Sequence, residues 1–301
     1  MLFGDYSFFC LLENEAFLPY YKGSTFRGVF GTALKRVVCA LRREECKDCI
    51  LRERCLYSQV FETPSSRPHP FVIEPPLSTD THFEGGSPFN FSLLLFGEAN
   101  KNLPYFIYAF EQMGKIGIGK RVGGKRGRFA VESVKIGDEL VYDGNEGKII
   151  MKDPTQLSLN HGKEKTQKGI SRLRLILITP LRLKFHNRLT AELPFHVLVR
   201  AMLRRVSSLY NAFCEGEPDL DYKGLVHRAQ SVKVVRSEID WFDWQRYSGR
   251  QDRSMLMGGI VGSITYEGEI GEYVPLLDFC ARVHLGKQTS FGLGMVRWEA
   301  I

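Results

Sequence analysis

The sequence predicts an α+β protein in which one order of elements is used twice. Two observations carry this. Apolar residues recur at helical spacing over 26–41 and 195–214, and each stretch is preceded and followed by short aromatic or β-branched runs of strand length. Between the halves, residues 143–168 are polar, basic and rich in turn residues, which places a linker there. The expected domains are therefore 1–150 and 170–301.

The first half opens with a strand over 2–12, LFGDYSFFCLL. A turn at Pro19-Tyr20-Tyr21-Lys22-Gly23 leads to a helix that Ser24 or Thr25 can cap. Its apolar face is Phe26, Val29, Phe30, Ala33, Leu34, Val37, Val38 and Leu41, with Arg27, Lys35 and Arg42 on or near the other face. Gly28 and Gly31 are costly inside a helix unless something packs closely there. Five prolines over 64–76 predict an extended connection. A strand over 89–96, a helix over 104–113 and strands over 129–136 and 139–142 complete the half.

The second half begins with a strand over 173–185, broken at Pro180. A helix over 195–214 buries Phe195, Leu198, Val199, Met202, Val206, Leu209 and Phe213, and lines up His196, Arg200 and Arg204 on its outer face. Strands over 232–235 and 256–266, a helix over 273–283 and a strand over 291–298 follow. Strand-helix-strand-helix-strand, twice, is the order of tandem ferredoxin-like, RNA-recognition-type units.

Composition excludes other classes. With 44% hydrophobic and 25% charged residues, the chain is neither disordered nor fibrous. It has no apolar run long enough to span a bilayer, and residues 1–12 lack the basic start and cleavage site of a secretory signal. A cytoplasmic protein without a membrane partner is expected.

The net charge of +7 matters through its distribution. Residues 114–128, GKIGIGKRVGGKRGR, hold six basic residues, six glycines and no acid. Positive charge on a chain that can approach closely suits a phosphate backbone, against the plain alternative of a solvated flexible loop. Lys120, Arg121, Lys125, Arg126 and Arg128 are the expected phosphate contacts.

Four of seven cysteines cluster as C-x6-C-x2-C-x5-C: Cys39, Cys46, Cys49 and Cys55. An odd total without a secretory signal argues against a disulfide framework. The cluster reads as a structural zinc site inserted at 39–55, with an iron–sulfur cluster or reduced, unligated thiols as alternatives. Cys10, Cys214 and Cys280 lie in apolar segments and read as core.

A second glycine loop, His284-Leu285-Gly286-Lys287-Gln288-Thr289-Ser290-Phe291-Gly292-Leu293-Gly294, joins the last helix and strand. Its N–H groups could hold phosphate oxygens, which makes Gly286, Lys287, Gln288, Thr289, Gly292 and Gly294 expected phosphate contacts. It lacks the order of a P-loop, and a bulged hairpin explains the same residue types.

These motifs carry a resemblance. Gly23–Leu41 with the cysteines and Tyr57–Glu62, then 119–129, resemble the first half of the CRISPR-associated pre-crRNA-processing endoribonucleases of the repeat-associated mysterious protein (RAMP) superfamily. Trp244-x-x-Tyr247-Ser248-x-Arg250-Gln251, Gly258-Gly259-Ile260-Val261-Gly262 and the 284–294 loop resemble the second half. The resemblance implies two ferredoxin-like domains and binding of CRISPR repeat RNA. It implies one metal-independent cut per repeat, leaving a 2′,3′-cyclic phosphate and a 5′-hydroxyl, with no catalytic cofactor. Family members often place a histidine on or just after the first helix, whereas Gly23 to Cys55 has none. The candidates for acid–base work are therefore His284, then His69 and Tyr21, with Lys35 and Lys287 steadying phosphorane charge. Tyr247 or Trp244 could stack on an unpaired base. The competing reading is a non-catalytic RAMP subunit that binds crRNA beside other CRISPR effector subunits.

Overall fold

The computed structural model describes residues 1–64, 66–159, 169–185, 188–189, 192–248 and 253–301. Two compact units divide it, Leu2–Thr155 and Gln156–Ile301, the latter joined by Met1.

In the first unit the elements are β1 (Leu2–Leu12), α1 (Gly23–Val38), a short α2 (Leu56–Phe61), β2 (Phe71–Glu74), β3 (Pro88–Phe96) and α3 (Leu103–Ile116). A hairpin of β4 (Ile118–Val122) and β5 (Lys125–Gly127) follows, then β6 (Phe129–Ile136), β7 (Glu139–Asp143) and β8 (Lys148–Ile149). The main sheet runs β8-β7-β6-β1-β3-β2, and β1 pairs antiparallel with both β3 and β6. With β2 counted, the unit is β-α-β-β-α-β and its central strands stand in ferredoxin-like order. The prolines of 64–76 thus conceal a strand as well as a connection. Both helices lie on one face because their apolar stripes converge on aromatics of the sheet. Phe30 of α1 stacks on Phe110 of α3 at 4.3 Å, and Phe8 of β1 stands 4.8 Å from both Phe91 and Phe110.

In the second unit β9 (Arg172–Leu181), α4 (Phe195–Phe213), α5 (Tyr222–Arg228), β10 (Lys233–Ser248), β11 (Arg253–Glu267), α6 (Val274–Val283) and β12 (Val296–Ala300) form the same pattern. The sheet order is β10-β11-β9-β12, with all neighbours antiparallel. Two buried tyrosines fasten the helical layer: Tyr266 donates to the Leu193 carbonyl at 2.8 Å and Tyr273 to that of Leu225 at 2.9 Å.

Three local expectations change. No side chain caps α1; Lys22 holds the cap position and the buried Ser24 hydroxyl has no partner. β9 runs through Pro180 and shifts register beyond Leu177. β10 and β11 are far longer than 232–235 and 256–266 and form one extended ribbon.

Candidate nucleic-acid interface and reaction centre

The basic segment is not a loose loop. Gly123 and Gly124 turn it with φ of 57° and 80°, the left-handed pair of a two-residue hairpin. Its base is clamped by Asn14, whose amide donates to the Arg126 carbonyl at 3.1 Å and whose oxygen accepts from the Arg128 N–H at 3.0 Å. Gly119 and Gly127 are needed there, since a β-carbon would meet the Phe17 oxygen at 2.2 Å and the Ala16 β-carbon at 2.3 Å. The glycines therefore set the hairpin against residues 16–18, while Lys120, Arg121 and Lys125 stand exposed beyond it. Arg128 is exposed but pairs with Glu13 at 3.2 Å. Arg126 is half-buried, with its Nε enclosed and unpartnered.

The second glycine loop turns inward. Its Leu285 and Lys287 N–H groups donate to the Gly294 and Arg182 carbonyls, at 2.8 and 2.9 Å. Those of Gly292 and Gly294 donate to the Thr289 and Pro180 carbonyls, at 2.7 and 3.1 Å. Thr179 crosses the loop, donating to the Gly292 carbonyl at 2.7 Å and accepting from the Met295 N–H at 2.9 Å. These N–H groups serve the loop itself, and Gly292 and Gly294 are buried. A β-carbon at Gly294 would lie 1.8 Å from the Leu285 oxygen. Lys287 is exposed; Gln288 and Thr289 are partly so.

His284 does not face solvent. It is 0% exposed, and its Nδ1 donates to the Leu293 carbonyl at 3.0 Å. Behind it the buried guanidinium of Arg205 donates to the Val283 and His284 carbonyls, with Nε at 3.2 and 3.1 Å. Burial pushes Arg205 down to about 10, so it keeps its charge at neutral pH. In place of the acid or base expected of it, His284 fixes the loop after α6.

Tyr21 is partly buried, and its phenol is held well above the ordinary range by burial and then by the Glu74 carboxylate. It holds its proton more firmly than an ordinary phenol. The neighbouring Lys22 is fully buried, with its ammonium on the Tyr20 and Ser78 carbonyls and 5.4 Å over the Phe83 ring.

Lys35 lies toward the cysteines. Burial opposes its charge, but the Cys46 thiol, Tyr57 and Cys39 outweigh that and raise it above the usual lysine range. Its Nζ stands 5.5 Å over the Tyr57 ring. Cys39 ends α1, Cys55 precedes α2, and all four clustered thiols are free and half-exposed. Among the described residues no three His, Cys, Asp or Glu side chains gather to hold a metal ion. The four thiols that the spacing assigns to one metal do not form such a group there. Cys10 and Cys280 are buried as expected, and Cys214 is half-buried.

His69 is brought to α1 from outside it. Its Nδ1 stands 2.9 Å from the Val60 carbonyl and 3.0 Å from Thr63 Oγ1, and its Nε2 is 3.2 Å from Arg27 Nη2. Arg27 lies over Phe61 at 5.0 Å and Phe71 at 5.8 Å. A carbonyl only accepts, so the imidazole proton sits on Nδ1 and Nε2 offers its lone pair to the guanidinium. Burial, then Arg27, lowers the His69 pKa, against the Val60 bond and Glu62. A histidine of the proline-rich segment thus reaches α1, which carries none of its own. Arg27, Asn14, Thr179 and Arg205 are the residues that sequence reasoning missed. For Arg27 a signal existed, since it and Lys35 are eight residues apart on one helix.

On β10, Phe242 and Trp244 stack at 5.7 Å, and Trp241 Nε1 donates to Asp243 at 2.7 Å. The Tyr247 side chain, Arg250, Gln251 and His186 lie outside the described residues. Among the described residues no helix is long and apolar enough to cross a membrane.

Comparison with known proteins agrees with this picture. Residues 1–157 match the N-terminal domain family AF_1859_N, and residues 175–296 match CRISPR-associated endoribonuclease Cas6. An uncharacterized protein of Archaeoglobus fulgidus is 25% identical over 290 residues, 93% of this chain and 92% of the other. Thermus thermophilus Cas6 shares the fold with a TM-score of 0.57 at 13% identity, over 99% of this chain and 98% of that one. A RAMP protein solved with different RNA substrates does so with 0.50 at 13%, over 98% and 99%. The chain thus belongs to the AF_1859_N family, whose model covers its first half, and over residues 175–296 it matches the CRISPR-associated endoribonuclease Cas6.

Proposed function

We propose that this protein binds the repeats of a CRISPR transcript and cuts once within each, by attack of a ribose 2′-hydroxyl on the adjacent phosphate. The observation that carries the reading is the Cas6 match over 175–296 on a tandem ferredoxin-like chain. The clamped hairpin that raises Lys120, Arg121 and Lys125 supports it, since a fixed row of cations suits an RNA backbone. Because the nucleophile belongs to the RNA, the reaction needs a base, a cation and an acid but no metal. Its products are a 2′,3′-cyclic phosphate and a 5′-hydroxyl.

Labelled repeat RNA incubated with the protein in excess EDTA tests this. A single cut with a cyclic-phosphate end is expected. Cleavage only after metal is restored, or a 3′-hydroxyl product, would contradict it.

The absence of any histidine from Gly23 to Cys55 and the burial of His284 favour a second reading, a crRNA-binding subunit without activity. Tight binding of repeat RNA with no cleavage under any condition would select it.

A further inference from the structure

We propose that His69 and Arg27 are the catalytic residues of the cleavage step, the imidazole acting as general base and the guanidinium holding the attacked phosphate. This rests on the endoribonuclease reading above and assigns its chemistry to a place.

Four features carry the inference. First, the tautomer is fixed: the Val60 carbonyl at 2.9 Å leaves the lone pair on Nε2. Second, a guanidinium stands 3.2 Å from that nitrogen, so a phosphate seated on Arg27 would bring its neighbouring 2′-hydroxyl to His69. Third, Phe61 and Phe71 fix the guanidinium plane, at 5.0 and 5.8 Å from its carbon, so little ordering remains when RNA arrives. Fourth, both side chains are partly exposed, whereas His284 is sealed. The charged groups that face the imidazole are Arg27 from α1 and Glu62 from the end of α2.

The step balances without a co-reactant. The 2′-hydroxyl gives its proton to His69 Nε2 as the 2′-oxygen bonds to phosphorus. The phosphorus–5′-oxygen bond breaks, and the leaving oxygen takes a proton from water. The imidazolium then returns its proton to solvent. Arg27 releases Nε2 when the phosphate oxygens take over its N–H groups.

The test uses the full chain with a labelled CRISPR repeat RNA from its own organism, under single-turnover conditions. Parental protein that binds but does not cut sinks the endoribonuclease reading itself. If the parental protein cuts, His69→Ala should slow cleavage by about 100- to 10,000-fold, the range for loss of a general base, with binding within a few-fold. Added imidazole should restore part of the rate. Arg27→Ala should also slow cleavage, with partial rescue by guanidinium ion. The parental rate should fall at low pH with a midpoint below the ordinary histidine value, and His69→Gln should lose that limb. His69→Ala cutting at the parental rate would overturn the assignment. So would slow cleavage that imidazole does not rescue in a variant that melts at lower temperature, since that marks a structural residue.

Discussion

Phe61 of α2 lies directly over Gly31 of α1, so closely that a β-carbon on Gly31 would meet the ring at 2.9 Å. That contact sets where α2 crosses α1. On one side Arg27 covers Phe61, and on the other Lys35 covers Tyr57, while Tyr57 and Phe61 stack at 5.2 Å. Val60, between those rings, holds His69 through its carbonyl. The helical glycine thus governs the place of the histidine.

Gly31→Ala should destabilise the protein by about 1–3 kcal/mol, because the ring must move to admit the methyl group. Gly28, one turn earlier, has nothing within 4 Å, so Gly28→Ala should stabilise it by about 0.5–1 kcal/mol through helix propensity. Denaturant melts of both variants check the pair. Equal effects would show that α2 does not press on α1.

The RNA affinity of the hairpin should be electrostatic. Changing Lys120, Arg121, Lys125 and Arg126 together to Ala should weaken repeat binding. The slope of log affinity against log salt should fall by roughly 0.7–0.9 for each phosphate that the variant no longer neutralises. Titrations at several salt concentrations measure this, and an unchanged slope would remove the hairpin from the interface.

His69 should also leave a mark on stability. Its folded-state pKa lies below its unfolded value, so the folded protein binds fewer protons there than the unfolded chain. The stabilisation is fully present above an ordinary histidine value of about 6.5 and is lost as pH falls through it toward the folded value. His69→Gln should flatten the loss of melting temperature between neutral and mildly acid pH. A variant with the parental pH profile would show that His69 does not contribute.

The fold was legible where burial imposes a period. Phe26, Phe30, Ala33 and Leu34 marked α1, and Leu198, Met202, Val206 and Leu209 marked α4, because each stripe faces a sheet. It was not legible where burial is absent or two-sided. Along β10 nearly every residue from Lys233 to Asp240 is exposed, and β11 carries Gly258, Gly259 and Gly262, so no apolar face runs the length of the ribbon. β2 is three-quarters buried and sits between prolines, which concealed it. The site divided in the same way. The basic hairpin could be read from composition, but the meeting of His69 with Arg27 depends on α2 packing across Gly31, which no local pattern records. His284 misled because a histidine before a glycine loop reads alike whether it points outward or inward.

His284 therefore provides the sharpest test of a structural against a chemical role. It stands at φ 61°, an uncommon conformation for a residue other than glycine, and its ring is sealed beneath the loop. With ψ at 153° that backbone strains any side chain alike, and the amide nitrogen of asparagine can stand where Nδ1 donates to the Leu293 carbonyl. Alanine leaves a cavity and an unpaired buried carbonyl, and should cost about 2–4 kcal/mol. His284→Asn should retain most of the stability and cut repeat RNA at close to the parental rate, while His284→Ala should melt early. Arg205→Met should behave like His284→Ala, because it strips charged hydrogen bonds, each contributing about 1.5–3 kcal/mol, from the carbonyls that end α6. If His284→Asn melts as the parent does but no longer cleaves, the imidazole takes part in the chemistry and the loop must open to admit RNA.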